Sequence, residues 1–160
     1  MTAAKRAIGR VAVRPYEQGD RALVHEFLRD LPRLYPAGDV WLAQRLDTCL
    51  IGGPRCTLVE CGSEVAALAI ETPKANGSLK LSTFFVAPAF RRCGLGALLS
   101  EALQARWVGE GWDEVYVTCD ESVHGALASL WAPLGFMTFA AVPGRYRQGS
   151  TEMVMRALLT

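Results

Sequence analysis

The sequence predicts one domain of mixed α/β (α+β) class, a mostly antiparallel sheet of about seven strands flanked by four helices. Three observations predict it. Between residues 55 and 86 the chain alternates with period two and is interrupted by turn residues, as in an antiparallel meander. From Leu95 the apolar residues fall instead at three- and four-residue spacing, so strand gives way to helix. A second alternation begins at Glu114, and strand, helix, strand at this length makes a right-handed parallel crossover.

Taken in order, residues 1–7 read as a loose tail and residues 8–160 as the domain. Val11 to Arg14 alternate as a first strand, stopped at Pro15. Gly19-Asp20 opens a helix with Asp20 as its N-cap, and Leu23, Val24, Phe27, Leu28 and Leu31 form the inner face. Pro32 and Pro36 end it. A second helix runs from Asp39, another N-cap candidate, through Leu42 and Leu46 to Leu50, before Gly52-Gly53-Pro54. Strands follow from Arg55 to Cys61 and from Val65 to Ile70, joined by the hairpin residues Gly62-Ser63. The fourth strand, Leu79 to Val86, loses its alternation at Phe84-Phe85, where a β-bulge is expected. The helix that opens near Gly94 stops at Gly109 and Gly111. Glu114 to Cys119 is the fifth strand, and Ser122 caps a last helix carrying Leu127, Leu130 and Trp131. Strands from Phe136 to Val142 and from Glu152 to Leu158 complete the sheet.

Composition narrows the function classes. An apolar fraction of 51% and a charged fraction of 21% are those of a soluble globular domain. Seventeen basic and sixteen acidic side chains leave a net charge of +1, which gives no electrostatic argument for a nucleic-acid or membrane partner. The cysteines at 49, 56, 61, 93 and 119 are odd in number and form no C-x-x-C pair, so neither a disulfide framework nor a metal site is indicated. With no apolar run behind Lys5 and Arg6, a cytoplasmic location is expected.

The chemistry gathers in one stretch, FFVAPAFRRCGLGALLSEAL, from Phe84 to Leu103. A strand ends, a loop rich in arginine and glycine follows, and a helix begins. The first N–H groups of a helix lack internal partners and carry the positive end of its dipole. Gly94 and Gly96 let a ligand approach those amides closely, and Arg91 and Arg92 add full charge. This describes a phosphate or pyrophosphate site. It is neither a P-loop, which needs Gly-Lys-Ser/Thr, nor the dinucleotide fingerprint, which needs a third glycine where Leu98 and Leu99 stand.

The pattern Arg-x-x-Gly-x-Gly at Arg91, Gly94 and Gly96, behind a strand ending in aromatic, valine and proline, resembles the acetyl-CoA loop of the GNAT superfamily of N-acetyltransferases. The string LWAPLGF at 130–136 is similar to the Leu-Tyr-x-x-x-Gly-Phe that follows the fifth strand in those enzymes. The resemblance runs from about residue 8 to the C-terminus and implies a sheet splayed between strands 4 and 5. It implies acetyl-CoA as cofactor, with Arg91, Arg92, Cys93, Gly94, Leu95, Gly96 and Ala97 at the pyrophosphate. It further implies that backbone groups near Phe85 and Val86 hold the acetyl end, and that His124 and Trp131 lie along the pantetheine arm. Tyr35, Asp39 and Trp41 would border the acceptor, and a homodimer is a common arrangement.

Direct attack of an amine on the thioester needs a base, an oxyanion donor and an acid for the thiolate. Glu71, Asp120, Glu121 and His124 are the candidate bases, with a solvated loop carboxylate as the favoured reading of any one of the three acids. The family's usual tyrosine acid is replaced by Trp131, whose indole N–H can donate a hydrogen bond but is not a usable acid. Tyr146, His124, Cys119, Ser129 or water could substitute. An acyl-cysteine route through Cys119 is the less favoured reading of an apolar strand position. The expected reaction is acetyl transfer to a small-molecule or peptide amine. Alternatives are transfer to charged tRNA or to a protein lysine, and a non-catalytic acyl-CoA sensor.

Overall fold

The computed structural model describes residues 8–159. Its seven strands are β1 (Val11–Pro15), β2 (Arg55–Cys61), β3 (Glu64–Pro73), β4 (Leu79–Val86), β5 (Glu114–Asp120), β6 (Met137–Pro143) and β7 (Thr151–Leu158). They form one sheet in the order β1-β2-β3-β4-β5-β7-β6, in which only β4 and β5 pair in parallel. That pairing is the crossover expected from strand, helix and strand. The tail expected at residues 1–7 lies outside the described residues.

The helices are α1 (Arg21–Phe27), α2 (Leu31–Leu34), α3 (Gly38–Thr48), α4 (Leu95–Glu110) and α5 (Glu121–Trp131). Among the described residues there are five α-helices rather than the expected four, because the first helix breaks at Leu28 (φ −104°, ψ 23°) and restarts with Pro32 inside the first turn of α2. A proline is tolerated there, since that N–H would have no helical partner anyway. Leu23, expected to be buried, is 55% exposed, and Val24 and Leu28 carry the inner face.

Of three capping expectations, one holds in position and two are corrected. Asp20 is the N-cap residue of α1, but its carboxylate makes no cap bond and turns back to accept from the Glu17 amide at 2.7 Å and from Arg14 at 2.8 Å. Asp39 lies one residue inside α3, whose N-cap is Ala37 in the left-handed region at φ 57°. Asp120, not Ser122, caps α5, accepting from the Ser122 amide at 2.9 Å.

The sheet divides two cores. On one face α4 and α5 cover Leu79, Leu81, Val115 and Val117, with Trp107 and Trp131 filling the layer. On the other, α1 and α3 cover Leu58, Leu68 and Ile70 of β2 and β3. The continuous apolar run of β3 is explained by this double cover. No helix among the described residues is long and apolar enough to cross a membrane.

The bulge in β4 lies earlier than Phe84-Phe85. Ile70 faces Thr83 while Glu71 faces Leu81, so Ser82 is the extra residue. Beside it, β4 leaves β5: the parallel pairing covers Leu79, Lys80 and Leu81 and then stops. From Ser82 onward β4 and β5 diverge, and a gap opens in the middle of the sheet.

Candidate active site

The loop before α4 is built to present amides. Arg92 (φ 58°) and Gly94 (φ 79°) both adopt left-handed conformations, which fold the chain back into the helix start. Among the described residues, the amides of residues 92–97 have no acceptor within the chain. A Cβ on Gly94 would meet nothing within 4 Å, so the loop is open outward. Consecutive unpaired amides at a helix N-terminus, facing open space, fit a diphosphate. Arg91 is less free than its sequence suggests. Its Nε donates to the Val86 carbonyl at 3.0 Å, and its guanidinium lies 5.5 Å from the Phe85 ring centre. It therefore ties the loop to the end of β4. Arg92 is exposed, while Cys93 is half-buried.

The splay turns one of the two expected amides into the gap. The Ala87 amide donates to Ala66 O at 2.9 Å, which makes Val86 and Ala67 a non-hydrogen-bonded pair of the antiparallel ladder. The N–H and C=O of Val86 thus face away from β3, into the gap. Phe85 is the hydrogen-bonded neighbour, and its polar groups face Leu68. Its ring packs edge-on against Phe27, with 5.3 Å between centres.

A cleft of about 1020 Å³ runs from the loop, through the gap, to the far face of the sheet. Val86, Gly94 and Gly96 line one end, Trp131 and Cys119 the middle, and Tyr35, Lys80, Tyr146 and Glu152 the other end. Trp131 stacks edge-on to Phe84 at 5.1 Å, and its indole N–H donates to Ser100 Oγ at 3.1 Å. That N–H is consumed inside the protein. Burial pushes the Cys119 thiol up to about 11, so at neutral pH it is no thiolate nucleophile.

Asp120 and Tyr146 line the cleft, and Glu71 and His124 do not. Glu71 is fully buried among Arg55 (2.9 Å), Arg106 and the Trp107 indole N–H (3.0 Å), so it anchors α4 to the sheet. His124 turns to β6 and shares a hydrogen bond with Thr138 Oγ1 at 2.7 Å. Asp120 reaches the cleft, but its carboxylate accepts from the Ser122 amide, from Ser150 Oγ and from Arg147 (3.3 Å). Hydrogen bonds from Ser122 and Ser150, with Arg147 behind them, hold it well below the usual carboxylate range. Such a group is a weak base.

Glu152 was not singled out from the sequence. It is buried at 4% exposure, and its Oε1 has no hydrogen-bond partner among the described residues. Burial raises its pKa, and Asp120 adds to the rise, against a hydrogen bond from Thr118 and the positive charge of Lys80. The signal was present: Glu152 shares the alternation phase of Val154, so β7 puts a carboxylate on its buried face. Tyr146 stands beside it at this end. Its hydroxyl receives a hydrogen bond from Lys80 Nζ at 3.0 Å, and its ring meets Tyr35 edge-on at 5.5 Å. Burial raises the Tyr146 phenol, yet Lys80, a hydrogen bond with Thr118 and the charge of Arg145 together outweigh it and the net shift is downward. Tyr35, more deeply enclosed, is pushed up to about 12 by burial.

The family model described as Acetyltransferase (GNAT) family matches residues 15–136. The ribosomal-protein-S18-alanine N-acetyltransferase of Escherichia coli superposes with a TM-score of 0.78 at 18% identity, over 94% of this chain and 95% of that one. A GNAT-family acetyltransferase of Staphylococcus aureus Mu50 gives 0.77 at 13% identity, over 94% and 100%. A GNAT-family acetyltransferase of Elizabethkingia anophelis, solved with acetyl-CoA bound, gives 0.72 at 14% identity, over 93% and 98%. No curated protein sequence matches the chain.

Proposed function

Since the chain belongs to the GNAT acetyltransferase family, whose cofactor is acetyl-CoA, we propose that it transfers the acetyl group to the amine of a small molecule or peptide by direct attack. The observation that carries this reading is the continuous cleft, with a cradle of unpaired amides at one end and a buried carboxylate with one unpaired oxygen at the other. Five free cysteines suit a reducing, cytoplasmic setting.

Bound acetyl-CoA supplies a thioester whose carbonyl carbon accepts the amine nitrogen as the C–S bond breaks. The amides of residues 92–97 hold the diphosphate, with Arg92 adding charge. The Val86 N–H, free in the gap, donates to the carbonyl oxygen as negative charge develops there. Glu152 takes the proton from the incoming ammonium, and its raised pKa makes it a better base than an ordinary carboxylate. Tyr146, with its lowered pKa, gives a proton to the departing sulfur and regains one from the nitrogen as the amide forms, while Glu152 sheds its proton to solvent. An α-amine near pKa ~8 asks less of that base than a lysine near ~10.4 does, the difference being roughly 3 kcal/mol.

The test is acetyl-CoA binding by calorimetry, for the native chain, Gly94→Glu and Gly94→Asn. Asparagine tolerates a positive φ, so it separates backbone strain from the introduced charge. Micromolar binding kept by Asn and lost with Glu supports the reading. Folded native protein that binds no acetyl-CoA overturns it.

A further inference from the structure

The acceptor end of the cleft carries a charge arrangement that the transfer reaction does not require. Four cations converge there from four separate elements. Arg45 comes from α3, Lys74 from the turn after β3, Lys80 from β4, and Arg145 from the loop between β6 and β7. The first three line the cleft. Arg145 joins them around Tyr146, its guanidinium 5.4 Å from the ring centre while Lys80 Nζ lies at 5.5 Å.

None of the four forms an ion pair among the described residues. Other cations of this chain do meet carboxylates, Arg14, Arg21, Arg55 and Arg106 away from the cleft and Arg147 within its lining. Arg45 also leaves its Nε buried with no hydrogen-bond acceptor, and its guanidinium lies 5.5 Å from the Trp41 ring centre. Lys74 is pushed below its ordinary pKa by burial and by the charges of Lys80, Arg45 and Arg145. Like charges gathered in a partly buried site raise each other's energy unless an anion enters. The orphaned Arg45 donor adds the separate cost of a buried hydrogen bond left unmade.

The carboxylates lining the cleft are Asp120 and Glu152. Asp120 is committed to the cap of α5, to Ser150 and to Arg147. Glu152 alone retains an unpaired oxygen. The cleft therefore offers one anionic position and one cluster of unmatched cations. A polyamine would set its second and third ammonium groups against that cluster.

Resting on the acetyltransferase reading above, we propose that the acceptor is a small molecule bearing one amine and one oxyanion, as an amino acid does. The amine lies at Glu152 and the oxyanion lies among Arg45, Lys74, Lys80 and Arg145. Removing the anion while keeping the amine leaves the cations unmatched, so the neutral analogue is the poorer substrate.

Thiol release from acetyl-CoA is measured with free amino acids, the corresponding amino-acid amides, phosphoethanolamine, ethanolamine and spermidine. The expected result is a preference of about tenfold or more in kcat/KM for an anionic amine over its neutral partner. Amino acids and phosphoethanolamine distinguish a carboxylate from a phosphate as the preferred group. The double variant Arg45→Gln/Lys74→Gln should reduce that preference to within about threefold, with acetyl-CoA affinity unchanged. Equal or better turnover of the amides or spermidine overturns the inference, as does acetyl-CoA binding with no turnover of any anionic amine. Absence of acetyl-CoA binding fails the functional reading itself and is separately visible by calorimetry.

Discussion

Trp131 donates its indole N–H to Ser100 Oγ at 3.1 Å, and Ser100 in turn donates to the Gly96 carbonyl at 2.7 Å. This relay joins α5 to the first turn of α4, directly beneath the amides of the loop. The residue standing where the family carries a tyrosine acid is thus a brace. Ser100→Ala leaves a buried indole N–H without an acceptor and should destabilise the fold by about 1–3 kcal/mol. Urea unfolding of the two proteins checks this, and an unchanged midpoint would refute the brace.

Replacing Glu152 with Gln should lower kcat at least about a hundredfold, the usual contribution of a general base. The same change should raise stability at neutral pH. The Glu152 pKa is raised above its ordinary 4.5 in the folded state. Its contribution to stability is complete below that ordinary value and is lost as pH rises through the folded one. The Tm of Glu152→Gln relative to native should therefore grow from about pH 4 to about pH 8. Activity and stability moving in opposite directions is the signature to look for in paired assays and melts.

Tyr146→Phe tests the acid. A general acid must be protonated, so native kcat should fall on the alkaline side as pH rises through a pKa depressed below 10.0. In the variant kcat should drop by about 10–100-fold and that limb should vanish. A pH–rate profile with the limb intact would remove Tyr146 from the reaction.

Glu71→Ala strands the guanidinium groups of Arg55 and Arg106 beside a buried void. A loss of about 3–5 kcal/mol is expected from breaking a buried ion pair by removing one partner. Calorimetric melting measures it. Protein that remains folded should still bind acetyl-CoA, because Glu71 lies outside the cleft.

Alkylation offers a map of the loop. Cys56, Cys61 and Cys119 are buried, whereas Cys93 and Cys49 are half-exposed. Iodoacetamide should label Cys93 and Cys49 first, and acetyl-CoA should protect Cys93 alone. Mass spectrometry of the labelled peptides reads the difference.

Period-two and helical spacing made β2 to β5 and α4 legible, because each of these elements buries a face against the same sheet. The region from Asp20 to Leu50 was harder to read. Pro32 stops one helix or starts another depending on the turn at Leu28, and local spacing does not decide between them. The cradle was visible because its residues are contiguous. The opposite end was visible only in part: Tyr35 and Tyr146 stand out in the sequence, but Lys80 and Glu152 come from distant elements and meet them only through the sheet. His124 and Glu71 misled for the complementary reason: titratable side chains near the right strand ends were already engaged by Thr138 and by two arginines. The bulge was placed at two aromatic residues rather than at Ser82, since a broken alternation marks the disturbed stretch and not the inserted residue.

The three-pair parallel seam at Leu79, Lys80 and Leu81 has a consequence for cooperativity. It joins two blocks, β1 to β4 under α1 and α3 on one side, and β5 to β7 with α5 on the other. Beyond the seam, each block presents an inner strand edge to the cleft. A ligand lying along both edges favours the closed arrangement of the blocks over every opened one, adding stability in proportion to the logarithm of its concentration. Hydrogen exchange at Val86 and Thr118 should then slow with cofactor far more than exchange at Leu58 or Leu68, so that the resistance of this chain to opening becomes a readout of the acetyl-CoA around it.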